Sequence, residues 1–214
     1  MIRERRQGYQ MLYETITVTV LPGTQTKVLA DLHPLLLSLN DGGTFLGCWV
    51  SEIGPLNQII ILRAFVLMDD LAGARQALLE SGLFPDRAIG VRDVSYQSWR
   101  GLPFLPCVQP GEYGKVYEIR TYHVRPGHLS DVAEGFRKTL PGRTPLSPLL
   151  TAMYSLDGPA RFAHIWPYGS LDERARIRRE AVAAGIWPPR GSAGFLTEDM
   201  RSQVVVPVAF SPLR

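Results

Sequence analysis

The chain has 214 residues, 45% of them hydrophobic, and its 23 Lys and Arg against 20 Asp and Glu give a formal net charge of +3. That composition excludes disordered, collagen-like and coiled-coil chains, and the longest apolar stretch, residues 59–68, is split by Arg63 and falls far short of the roughly 18 residues a spanning helix needs. The positive charge is almost all arginine and scattered along the chain, which favours solubility over nucleic-acid binding, since the latter calls for a dense basic stripe or a known module.

Residues 1–10 contain Arg3, Arg5 and Arg6 with no apolar segment, and read as a frayed tail rather than a targeting peptide. From Leu12 the run Leu-Tyr-Glu-Thr-Ile-Thr-Val-Thr-Val is stopped by Pro22-Gly23, the pattern of a strand and its turn. Val28, Leu32, Leu36 and Leu39 then recur at helical spacing, with Pro34 expected to kink or divide that helix. Strand-like runs over 45–52 and 58–66 flank Gly54-Pro55 and predict a hairpin. A second helix and a weaker strand near 94–102 follow. Pro106, Pro110 and Gly111 mark a linker over 105–113.

Beyond the linker the order returns. A strand over 116–124 ends at Pro126-Gly127, Leu129, Val132, Phe136 and Leu140 line one helical face, and runs over 150–156 and 161–168 form a hairpin around Gly158-Pro159. Ser170 and Glu173 form a capping box ahead of a helix over 171–184. With Ile177, Ala181 and Ala184 as its buried stripe, most of Arg174, Arg176, Arg178 and Arg179 are expected to face water. A strand over 203–210 closes the chain.

The halves align residue by residue. Leu12 to Gly23 falls on Val116 to Gly127 at an offset of 104, Gly54-Pro55 on Gly158-Pro159 at the same offset, and Gly82-Leu83-Phe84-Pro85 on Gly185-Ile186-Trp187-Pro188 after one deletion. A period this long means two copies of a whole domain. The order β-α-β-β-α-β is the ferredoxin-like split βαβ, so the fold class is α+β: two tandem ferredoxin-like domains, residues 11–104 and 114–214, forming an intrachain pseudo-dimeric α/β barrel. Each sheet has one face bare of helices. Packing the two bare faces together would enclose an interior suited to a small ligand.

Tyr117-Glu-Ile-Arg-Thr-Tyr-His-Val-Arg-Pro-Gly127, Gly47-Cys-Trp-Val-Ser-Glu-Ile-Gly-Pro-Leu-Asn-Gln58, His164-Ile-Trp-Pro-Tyr168 and the closing Phe210-Ser-Pro-Leu213 together resemble the NIPSNAP family across both halves. The resemblance implies a dimeric α/β-barrel fold with both halves in one chain. It implies little about chemistry, because the wider barrel group includes cofactor-independent monooxygenases, cyclases, isomerases and haem enzymes, and fold does not fix function. The copies also differ: Glu118-Ile-Arg-Thr-Tyr122 faces Glu14-Thr-Ile-Thr-Val18, while the full turn Ser51 to Gln58 faces Ser155-Leu-Asp-Gly-Pro-Ala-Arg-Phe162. One asymmetric site is expected.

Glu118, Arg120 and Tyr122 alternate and so share one face of a strand. If that face is the barrel interior, Arg120 could hold an anionic oxygen while Glu118 or Tyr122 moves a proton; an ion pair that only fixes the sheet explains the same residues. His164 shares a face with Trp166 and Tyr168, as a base beside an aromatic wall or as a hydrogen-bonded core histidine. These four, Glu118, Arg120, Tyr122 and His164, are the catalytic candidates. Trp49, Glu52, Asn57, Trp166 and Tyr168 are the substrate-binding candidates. His123 and His128 lie across a Pro-Gly bend with no third ligand nearby, so no metal is expected, and the absence of GxSxG, GxGxxG and Walker motifs argues against elbow hydrolases and nucleotide enzymes. No cofactor is expected.

Cys48 and Cys107 fit no metal or redox spacing, which points to thiols in a reducing, cytoplasmic setting. The leading expectation is a barrel that binds a small, partly apolar, aromatic or carbonyl-bearing molecule, with acid/base, cyclisation or cofactor-free oxygenation chemistry. The rival is a non-catalytic scaffold. A barrel interior plugged by large side chains would favour the rival; an interior holding several ordered waters beside unpaired polar groups would favour the enzyme. Exposed strand edges would make a homodimer or tetramer.

Overall fold

The computed structural model describes residues 10–39, 41–80, 90–189, 191 and 194–214. The chain-terminal arginines at 3, 5 and 6 and the repeat anchor at 82–85 lie outside them. The elements are β1 (Leu12–Val20), α1 (Gln25–Ser38), β2 (Thr44–Ile53), β3 (Gln58–Phe65), α2 (Met68–Glu80), β4 (Val91–Gly101), β5 (Val116–Val124), α3 (Leu129–Arg143), β6 (Thr151–Ser155), β7 (Arg161–Tyr168), α4 (Leu171–Ala183) and β8 (Leu196–Pro207). This is β-α-β-β-α-β twice. Strand order is β1-β3-β2-β8-β5-β7-β6-β4, closed into a barrel.

The turns that start each copy have a shared chemistry. Thr24 N–H bonds to Leu21 C=O and His128 N–H to Arg125 C=O, both at 3.1 Å, around Pro22-Gly23 and Pro126-Gly127. Proline presets the first central position, and Gly23 and Gly127 sit at φ 83° and 85°, a conformation that a side chain resists. At α4, Ser170 Oγ accepts from Glu173 N–H at 3.1 Å, and Glu173 Oε2 in turn accepts from Gly169 N–H. Pro34 does not divide α1, because Val28, Leu32 and Leu36 anchor it to the sheet on both sides of the missing N–H. β8 begins earlier than expected and ends at Pro207.

The two copies meet edge to edge. β2 pairs with β8 and β4 with β6, so the two sheets join along their edges into one closed sheet, the expected intrachain pseudo-dimeric α/β barrel. Every strand is paired on both sides, which removes the exposed edges on which the homodimer or tetramer expectation rested. Alternation then divides the side chains. Tyr13, Leu46, Trp49, Leu62, Trp99, Tyr117, Met153, Ile165 and Val205 form a cluster with no helical member, the barrel interior. Ile16, Val18 and Ile61 pack on α1 and α2, and Tyr122, Phe162 and Trp166 pack on α3 and α4.

Large side chains therefore occupy the barrel axis. Gly47 makes room for one of them, since a Cβ there would stand 2.3 Å from the Trp49 ring. The linker joins in: Val108 is buried, its N–H bonds to the Tyr13 hydroxyl, and Gly111 bridges to Leu213. Trp49 Nε1 and the Tyr117 hydroxyl have no hydrogen-bond partner among the described residues. The interior is thus closer to what the scaffold reading expects, and the open volume lies elsewhere.

Candidate functional site

The strand register decides where the predicted residues go. Glu118 stands opposite Trp166, Arg120 opposite His164 and Tyr122 opposite Phe162, and all of these face the helices. The catalytic candidates do share a face, but it is the helix-covered face and not the barrel interior. Trp49 lies on the opposite face, against Tyr117 with ring centroids 5.3 Å apart, and so is separated from the wall it was grouped with. Glu52 and Asn57 are exposed at the β2–β3 turn, where Asn57 adopts φ 56° and its carbonyl accepts from Val20 N–H. The register takes these three out of the cluster.

Glu118 is fully buried and is the hub of a cationic cluster. Its Oε1 accepts from Arg120 Nη1 at 2.7 Å, Arg174 Nη2 at 2.6 Å and Ser202 Oγ at 2.7 Å, while Arg178 Nη1 stands 3.6 Å from Oε2. Two arginines of α4 expected in water are thus committed to this carboxylate; Arg176 and Arg179 are exposed. Burial alone would raise the Glu118 carboxyl, but the Arg174 and Ser202 hydrogen bonds and the charges of Arg120 and Arg178 outweigh it and hold the group at about 2. Arg120 Nε also donates to the Tyr122 hydroxyl. Burial raises the Tyr122 phenol against the pull of Arg120, so it keeps its proton.

His164 is fully buried, with Nδ1 2.6 Å from Trp166 Nε1. Indole nitrogen only donates, so Nδ1 accepts and the ring proton sits on Nε2, which has no partner among the described residues. Burial first, and then the charge of Arg120, lower the imidazole to about 3. It is neutral at neutral pH. Phe136, Tyr122, Trp166 and Trp187 surround the ring at centroid distances of 5.0–6.2 Å. Arg143 is buried too, 4.3 Å above the Trp166 ring, donating to Ser147 Oγ and, at 3.4 Å, to the Tyr168 hydroxyl.

A cavity of about 310 Å³ opens beside this cluster. β5 contributes Arg120 and Tyr122, α3 contributes Asp131, Val132, Gly135 and Phe136, α4 contributes Arg178 and Val182, and Trp187 to Pro189, Phe195, Leu196 and Met200 complete the wall. Among the described residues, the first copy differs at the matching strand positions. Register puts Ile16 and Ile61 where the second copy has Arg120 and His164, and these pack with Val18 on Val28, Leu32 and Leu36. What both copies keep is a glutamate paired with the matching helix arginine: Glu14 accepts from Arg75 at 2.8 Å, and Arg178 stands 3.6 Å from Glu118. Sequence reading missed Arg174, Arg178, Ser202 and Trp187, although Arg75 and Arg178 occupy matching helix positions and the repeat comparison carried that signal.

The NIPSNAP sequence profile matches residues 13–95 and again 117–212. A NipSnap homolog of Dictyostelium discoideum is 31% identical over 97% of this chain and 96% of its own length. The chain belongs to the NIPSNAP family. The Drosophila melanogaster protein NipSnap is 21% identical to this NIPSNAP chain over 95% of it and 79% of the fly protein. Among solved structures, an anthrone oxidase-like protein superposes with TM-score 0.65 at 10% identity, covering 95% of the NIPSNAP chain and 94% of the other, a likeness of fold. No described helix is long and apolar enough to cross a membrane.

Proposed function

We propose that this NIPSNAP chain binds a small, largely apolar aromatic molecule, and that it does so in the second copy's cavity between the sheet and α3/α4. The observation that carries the reading is the asymmetry: the first copy fills this place with Ile16, Val18 and Ile61, whereas the second places Arg120, Tyr122 and an open volume there. At about 310 Å³ the cavity is at the small end for ligand sites, with mostly apolar walls and a few convergent polar groups. A fold shared with an anthrone oxidase-like protein is compatible with an aromatic ligand.

The chemistry this supports is stabilisation of negative charge at a ligand oxygen by Arg120, with the Tyr122 phenol as hydrogen-bond donor. Glu118, already committed to arginines in a Glu–Arg pairing that both copies keep, is read as the anchor of Arg120 and Arg178 rather than as a base. His164 is read as a neutral ring that sets the cavity floor through Trp166, Phe136 and Tyr122. Gly135→Leu tests the site, because a Cβ at Gly135 meets only Pro189, at 3.5 Å, so a longer side chain would enter the open volume. In a thermal-shift screen of aromatic ligands, the variant should fold normally and lose every stabilising hit of the parent. Hits that persist unchanged would place the ligand elsewhere and leave the scaffold reading ahead.

A further inference from the structure

We propose that the ligand of this cavity is an aromatic monoanion whose charged oxygen sits among Arg120, Arg178 and Tyr122. The inference rests on the ligand-site reading above and is carried by a mismatch of fixed charge between the two copies.

In the first copy the arginines around Glu14 are matched. Arg63 pairs with Glu14 and Asp41, and Arg75 with Glu14 and Asp157. In the second copy Arg120, Arg174 and Arg178 share the single carboxylate of Glu118, and buried Arg143 has only hydroxyl, carbonyl and ring partners among the described residues. Nearby carboxylates have other partners: Asp131 in the cavity wall with His128, Glu180 with Arg176, Asp199 with His123 and Arg201, and Glu198 with Arg125. The surplus is therefore positive and lies where water is partly excluded. The equivalent buried carboxyls register it, because Glu14 is raised by its burial while Glu118 is held low.

Partly buried positive charge without a fixed partner is costly, and an anion that arrives with the ligand offsets that cost. Two of the arginines, Arg120 and Arg178, line the open volume together with the rings of Phe136, Trp187 and Phe195. Charge beside rings defines the ligand class. The geometry also favours a ligand that arrives ionised, since Glu118, Tyr122 and His164 are each held in a form that does not take up a proton.

Titration calorimetry with 2-naphthoate and its neutral isostere 2-naphthamide, on the full chain at low and high salt, tests this. Naphthoate should bind at least about tenfold more tightly than the amide at low salt, as charge-assisted contacts to guanidinium do, and the preference should shrink with salt. Arg178→Gln should abolish the preference and leave amide binding in place, and Arg178→Lys should restore most of it. Equal binding of both probes, lost in Gly135→Leu, would overturn the charge inference and keep the site. A preference untouched by Arg178→Gln would also overturn it. Binding of neither probe, or equal binding to Gly135→Leu, would instead sink the ligand-site reading beneath it.

Discussion

His164 shows how one residue changes meaning between a strand pattern and a packed site. As a lone histidine beside Trp166 and Tyr168 it reads equally as base or core residue. Its Nδ1 is occupied by the Trp166 indole and its ring is closed in by aromatics, so the neutral form is locked. The folded imidazole takes its proton only near pH 3, whereas an ordinary one does so at 6.5. Below 6.5 the unfolded chain therefore binds more protons than the folded one. Stability is unaffected by this group above 6.5 and falls beneath it, by up to about 1.4 kcal/mol per pH unit. Urea midpoints measured between pH 6.5 and 4.5 should decline in the parent and be visibly flatter in His164→Phe. Parallel curves would mean that the ring is not held neutral.

At the scale of elements, alternation fixes which side chains share a face, and packing decides what that face meets. Glu118, Arg120 and Tyr122 were legible as one row in the sequence, and so was the row of His164, Trp166 and Tyr168. That both rows lie beneath α3 and α4 follows from which face of each sheet the helices cover. Trp49 is separated from them for the same reason. Its own seat depends on Gly47 two residues earlier on the same face, where any side chain would collide with the indole. Gly47→Ala should cost about 1–3 kcal/mol by overpacking, read as a lower unfolding midpoint without loss of strand content. An unchanged midpoint would show that the barrel axis has slack.

For the whole molecule, closure matters more than either half. The β2–β8 and β4–β6 seams are the junctions at which one copy's sheet continues into the other, and the interior cluster draws Tyr13, Leu62 and Trp99 from one copy and Tyr117, Met153 and Ile165 from the other. A fragment of residues 114–214 would expose both its sheet edges and the apolar face that the first copy covers. Light scattering on such a fragment should find dimers or aggregates. A well-folded monomer would mean that the seams contribute little.

The sequence by itself determined the repeat, the element order, the family and most of the residues that gather around Arg120, because periodicity, turn chemistry and matched positions are local properties of the chain. Tertiary structure decided three further matters. The barrel axis is filled, Arg174 and Arg178 turn inward to Glu118, and the cavity beside Arg120 lies under the helices of the second copy. Each depends on which groups from distant segments compete for the same space and the same charge, and no single stretch of the chain encodes that competition.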